Sequence, residues 1–241
     1  MAPPLFPFYD FLKQMFESTR HDWLSPDDIF SLRKLFEAPQ ALPDYHYDGQ
    51  NPLWYTNHTA AYYLRSLFPN DREFLESIGI RANNNLKGES HSPRPYVHEF
   101  FAPDTSILEL GAGEGLALTQ LYNAHRKNDT IVWIGVDKRY SSNHLDVGKR
   151  GSLQFAQSDV AALEQIPDKS VDRIMDVQAA FSYSDSNALA RELRRVAKPG
   201  AILRSMPLSD RIAPALEALA LEGWNARRIS RNSLVARLAE S

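Results

Sequence analysis

From residue 105 onward, short apolar runs alternate with stretches whose apolar residues recur at helical spacing. Ile107, Leu108 and Leu110 form the first run, with Glu109 inside it; glycines follow at 111, 113 and 115, and Leu116, Leu118, Leu121 and Tyr122 then mark a helix. A β-rich run over residues 130–136 ends at Asp137, and a third over 152–157 leads into Ser158-Asp159-Val160. A polar turn at Pro167-Asp168-Lys169-Ser170 precedes a fourth run over 173–177. Leu189, Leu193 and Val196 share one face of a helix predicted over 185–197. It is predicted to stop at Lys198-Pro199-Gly200, because proline cannot continue a helix and glycine can take a positive φ. A fifth run, a helix over 210–221 and two β-type runs at 224–229 and 233–238, joined by a polar connection at Arg231-Asn232, complete this half. Such alternation predicts a parallel sheet with helices on both faces.

The first hundred residues read differently. Ser25-Pro26-Asp27-Asp28 is a helix start with an N-cap, proline at N1 and acids in the first turn, and that helix is predicted to end before Pro39. Further helices are predicted over 58–68 and 71–78, and residues 83–93 are polar and loop-like. Residues 1–100 are read as a helical cap over the carboxyl ends of the strands, where open α/β sheets bind ligands, and 101–241 as the core domain. The aromatics between 45 and 55 either cement the cap to the sheet or, through Tyr45, Tyr47, Trp54 and Tyr55, wall a pocket for a flat or cationic substrate.

The glycine turn narrows the ligand. A strand that breaks into glycines and restarts as a helix lets backbone approach a ligand closely. A dinucleotide fingerprint wants Gly-x-Gly-x-x-Gly, but Leu116 stands where its third glycine belongs. No Gly-Lys-Ser/Thr follows, which excludes a phosphate-cradling P-loop. Two acids, Glu109 and Glu114, suit a cationic or hydroxyl-bearing ligand. The run resembles motif I, acid-x-Gly-x-Gly-x-Gly, of the class I S-adenosylmethionine-dependent methyltransferases. Residues 166–180 resemble that family's approach to its fourth strand, and Arg195-Val196-Ala197-Lys198-Pro199-Gly200 its entry to the fifth.

The resemblance covers roughly residues 100–240. It implies a Rossmann-like, seven-stranded α/β sheet of order 3-2-1-4-5-7-6 with its last strand pair antiparallel. It implies S-adenosylmethionine as cofactor, contacted by Glu109, Gly111, Ala112, Gly113, Gly115, Asp137, Lys138, Asp159, Val160, Asp176 and Gln178. Asp137 at the tip of the second strand can accept from both ribose hydroxyls, or alternatively cap the next helix. Asp159 and Val160 match the family's adenine contacts, although Ser158-Asp159 is also a good helix N-cap.

Composition removes several other readings. A chain of 241 residues can bury one substantial core, and a net charge of −3 lacks the basic excess of a general nucleic-acid binder. Cysteine is absent, which excludes disulfides, thiolate metal sites and a Cys nucleophile. No metal site is expected. With neither a signal-like N-terminus nor an 18-residue apolar stretch, the chain is read as cytoplasmic and not membrane-spanning. The arginines at 191, 194, 195, 227, 228, 231 and 237 are read as solvated faces in preference to an RNA-binding surface.

The expected activity is methyl transfer to N or O of a small-molecule acceptor by in-line displacement, carried mainly by proximity and orientation. Tyr183, His58 and His98 are candidate bases, none with a partner visible in the sequence. Two other classes stay open: a protein that binds S-adenosylmethionine without methylating, pericyclase-like or regulatory, and a protein or RNA methyltransferase. A homo-oligomer is compatible with all three.

Overall fold

A computed structural model describes residues 99–113, 115–124, 130–140 and 145–240, together with Tyr63, Ser66, Leu67 and Phe68. The helices expected over 25–39 and 71–78, the aromatics Tyr45, Tyr47, Trp54 and Tyr55, and both His58 and His98 lie outside the described residues.

The elements in chain order are β1 (Ser106–Leu110), α1 (Leu116–Ala124), β2 (Val132–Asp137), β3 (Leu153–Gln157), β4 (Val171–Val177), α2 (Ala180–Tyr183), α3 (Ser186–Val196), β5 (Ala197–Met206), α4 (Ile212–Leu221), β6 (Trp224–Arg228) and β7 (Leu234–Leu238). They form one seven-stranded sheet, β3-β2-β1-β4-β5-β7-β6. The first five strands pair in parallel, and β7 runs antiparallel to both neighbours. β1 and β2 are buried along their whole length, which is why they read as nearly continuous apolar runs.

Alternate residues of each strand feed two cores. On one face Leu108, Leu110, Ile134 and Ile174 pack with Phe181 of α2, Leu189 and Leu193 of α3 and Leu219 of α4. On the other, Ile107, Trp133, Met175 and Ile202 pack with Leu118 and Leu121 of α1, and with Phe100, Phe101, Tyr63, Leu67 and Phe68. Phe101 stacks on Trp133 with ring centroids 5.9 Å apart. Tyr63, Ser66 and Leu67 are helical, and the carbonyls at the end of that turn are pinned to the sheet. Arg204 donates to Leu67 O at 2.8 Å with its guanidinium over the Phe68 ring, and Ser233 Oγ donates to Ser66 O at 2.6 Å.

The helix stops where the sequence places its end: α3 ends at Val196, just before Lys198-Pro199-Gly200, and Gly200 takes a φ of +77, while β5 starts already at Ala197. Val171 pairs with Ala197, whereas Arg173 pairs with Ile202, so the extra residues are taken up as an irregularity within the strand. Lys198 Nζ donates to Asp172 Oδ2 at 2.7 Å, and the same carboxylate oxygen accepts from Ser106 N and Oγ. That cluster ties β1, β4 and β5 together and holds the Asp172 carboxyl below the usual carboxylate range: burial raises it, and the Lys198 and Ser106 donors outweigh burial.

Candidate functional site

The glycine turn leaves the carboxyl end of β1 with Gly111, Gly113 and Gly115 all at positive φ. Ala112 N donates to Val136 O at 2.9 Å and Gly113 N to Asp137 Oδ2 at 3.2 Å, fixing the turn against the end of β2. A Cβ on Gly111 would stand 2.6 Å from Cβ of Ala179, and one on Gly115 2.5 Å from the Phe155 ring. These two glycines therefore serve close packing, while Gly113 faces the cleft.

That cleft has a volume of about 590 Å³, within the range of small-molecule sites. Gly111, Gly113, Asp137 and Lys138 line it on the β1–β2 side, Asp159 and Val160 at the end of β3, and Gln178 and Tyr183 beyond β4. Ala112, Gly115, Glu109 and Asp176 do not line it.

Each acid has its own environment. Asp137 is 7% exposed; Oδ1 accepts from Arg139 N at 3.0 Å and Nε at 2.8 Å, and Oδ2 from Gly113 N and from Arg139 Nη2 at 2.9 Å. Burial raises its pKa, but the Arg139 hydrogen bonds and charge, with Gly113 N–H, hold it below the ordinary carboxylate range. Glu109 is fully buried with neither carboxylate oxygen in a hydrogen bond, and desolvation pushes its pKa to about 8. The Tyr63 hydroxyl beside it offsets part of that rise, and the charge of Asp137 adds to it. The same neighbourhood, burial first and then Glu109, raises the Tyr63 phenol well above its ordinary value.

Asp176, expected among the cofactor contacts, is occupied within the fold. Its buried carboxylate accepts from Ala180 N at 2.7 Å and Ser205 Oγ at 2.7 Å, so it shapes the loop after β4 and does not face the cleft. Burial raises its pKa and those donors temper the rise. Gln178 sits at φ +51, a left-handed conformation that a non-glycine residue rarely holds, and its N–H donates to Met206 O at 2.8 Å. That bend carries the chain out of β4 towards Tyr183, which is 77% exposed at the cleft. Asp159 starts turns and not a helix: Oδ1 accepts from Ala161 N at 2.9 Å, which removes the helix N-cap alternative. No helix begins at Asp137 either, among the described residues.

The sequence offered no signal for Arg139 at the cleft, or for Phe155, whose ring fills the space above both Gly115 and Gly135. Two of the arginines considered for RNA contact are structural. Arg195 donates to Ile166 O, Leu163 O, Asp168 and Glu192, and Arg194 to Glu222 O. Among the described residues there is no cluster able to hold a metal ion and no helix long and apolar enough to cross a membrane.

Residues 108–204, from the middle of β1 into β5, match the methyltransferase domain family Methyltransf_11. The matched span contains the glycine turn, Asp137, Asp159 and the loop after β4, and the strand order is the one the class I fold requires. Residues 108–204 carry a methyltransferase domain. A curated relative, the 2-methyl-6-phytyl-1,4-hydroquinone methyltransferase of Synechocystis sp., is 31% identical across 51% of this chain and 41% of that protein. The chain thus spans about two fifths of that relative's length. Among solved structures, the antibiotic-resistance methyltransferase Kmr matches at 18% identity with a TM-score of 0.42, over 58% of this chain and 88% of that one. The cyclase SpnF matches at 16% identity with a TM-score of 0.44, over 58% and 76%.

The methyltransferase domain's residues fit S-adenosylmethionine, the cofactor of its superfamily. Gly113 presents backbone without a side chain to the cleft, Asp137 offers a charged carboxylate at the tip of β2, and Glu109 keeps two unpartnered carboxylate oxygens beneath the turn.

Proposed function

We propose that this domain transfers a methyl group from S-adenosylmethionine to N or O of a small molecule. The observation that carries the reading is the single cleft that unites the Gly113 backbone, Asp137 and the Asp159-Val160 turn with the Gln178–Tyr183 loop. On this reading Asp137 accepts from the ribose hydroxyls, Asp159 and Val160 N–H meet the adenine edge, and Gly111, Gly113 and Lys138 border the cofactor's path. Glu109 acts from beneath, as a buried acid that a cationic group above the turn would stabilise in its charged form. When bound, the cofactor supplies a sulfonium methyl that is already activated.

The chain's own contribution is then placement. The rigid turn and the strained bend at Gln178 hold the two sides of the cleft at fixed separation, and positioning of this kind can supply on the order of 7–11 kcal/mol. Tyr183 borders the cleft on the side beyond β4 and offers an exposed aromatic face to a flat acceptor. The curated relative's name specifies a phytyl-bearing hydroquinone, which supports a small-molecule acceptor here. The internal use of Arg194 and Arg195 weakens the case for RNA. Release of S-adenosylhomocysteine, measured by a coupled assay over a panel of hydroquinones, phenols and amines, tests the proposal. Turnover with one class supports it; cofactor binding without turnover on any, or labelled methyl recovered only in macromolecules, sinks it.

A further inference from the structure

We propose that Arg139 competes with the ribose hydroxyls for Asp137, so that this arginine sets how tightly the domain holds its cofactor. The inference rests on the reading of Asp137 as the ribose acceptor. An ionised carboxylate offers about four lone-pair sites. In Asp137 four donors take them: two backbone N–H groups, from Gly113 and Arg139, and two guanidinium N–H groups, Nε and Nη2 of Arg139. A vicinal diol also brings two donors side by side, so it cannot be added to this set and must replace part of it.

The replaceable part is identifiable. Gly113 N–H is fixed by a turn whose neighbouring residue is hydrogen-bonded to β2, and Arg139 N–H belongs to the chain leaving that strand. The guanidinium sits on a long rotatable stem, and the Arg139 side chain is 45% exposed while that of Asp137 is 9% exposed. The fork therefore has solvent to move into and the carboxylate does not. Hydroxyl bonds to an ionised carboxylate are charge-assisted as well, but the bidentate fork must be given up to make them, so net affinity is lower than the same carboxylate would give without the fork. The adjoining groups do not relieve this competition: Lys138 donates no bond to Asp137, and Glu109, which burial holds protonated up to about pH 8, brings no positive charge to it. Arg139 thereby becomes a residue that weakens binding of the ligand whose site it lines.

Calorimetric titration of the full chain with S-adenosylhomocysteine, adenosine and 2′,3′-dideoxyadenosine tests this in wild type, Arg139→Gln and Arg139→Lys. Removing a partly exposed ion pair from the competition should tighten adenosine and S-adenosylhomocysteine up to about fivefold in Arg139→Gln. Arg139→Lys, which keeps the charge without the fork, should fall between and serves if the Gln variant melts early. The gain should vanish with the dideoxynucleoside, and raising salt should improve adenosine binding in wild type only. Weaker binding by Arg139→Gln would make Arg139 a ligand contact and overturn the proposal while leaving the cofactor site intact. Equal tightening of adenosine and its dideoxy analogue would also overturn it. Failure of every form to bind S-adenosylhomocysteine would remove the cofactor reading and the proposal together.

Discussion

Replacing Glu109 with Gln keeps the shape of a fully buried side chain and deletes its titration, which makes the interior beneath the glycine turn accessible to a pH experiment. Unfolded, this carboxyl titrates at the ordinary 4.5; folded, burial lifts it to about 8. Below 4.5 both states hold the proton and the residue adds no pH dependence. Between the two values the folded state retains a proton that the unfolded state has lost, so stability falls as pH rises, by up to about 1.4 kcal/mol per pH unit. Above 8 both states are ionised and the loss levels off near 5 kcal/mol, an order-of-magnitude figure from about 1.36 kcal/mol per pH unit over that interval. The Gln variant lacks this slope. Melting curves of both proteins at half-unit steps from pH 4.5 to 9 should therefore converge at the acid end. They should separate by roughly 10–20 °C in Tm at the alkaline end, with the variant the more stable. Every other titrating group is shared, so the difference isolates Glu109. Parallel curves would mean that the carboxyl reaches water or a partner in solution, and the argument from its burial would be wrong.

Other substitutions separate packing from ligand contact. Asp137→Ala, made in the Arg139→Gln background where no fork competes, should lose roughly 1.5–3 kcal/mol of S-adenosylhomocysteine affinity by calorimetry, and unchanged affinity there would withdraw Asp137 from the ribose. Gly115→Ala should cost about 2–4 kcal/mol in urea unfolding, since its φ is +70 and its Cβ would stand 2.5 Å from Phe155. Adding Phe155→Leu should recover part of that, and no recovery would point to backbone strain alone. Tyr183→Ala should raise KM for the acceptor about tenfold with Tyr183→Phe near wild type, as expected of an apolar wall. A kcat loss of roughly a hundredfold in the Phe variant would instead make the hydroxyl a proton acceptor.

The strands were legible because burial on both faces forces nearly unbroken apolar runs, as at Ile107–Leu108 and in β2, and the order of the sheet followed from the family those runs resemble. What local sequence could not convey was the use of residues far apart in the chain. Asp176 stands at the end of a strand like a ligand contact, but Ser205, 29 positions on, and the amide of Ala180 claim its carboxylate. Gly115 reads as a ligand-approach glycine, yet it and Gly135 both make room for the one ring of Phe155. Lys198-Pro199-Gly200 does stop the helix, but that the strand starts at once, with Ala197 paired to Val171, could not be read from the local letters. Arg139 two positions after Asp137 is a pattern that any helix start could show; only the bond lengths reveal the fork.

The placement of β7 has a consequence for how the molecule is made. This strand, Leu234–Leu238, lies between β5 and β6, both of which leave the ribosome before it. Until residue 238 has emerged, β5 offers an open edge carrying Ile202 and Leu203, the pattern that invites pairing with another nascent chain. The parallel half of the sheet, glycine turn included, can assemble during synthesis, whereas the antiparallel half must wait and then insert its strand. A stop codon or slow stretch between residues 206 and 234 should therefore produce aggregation, through a half-sheet with an unprotected side.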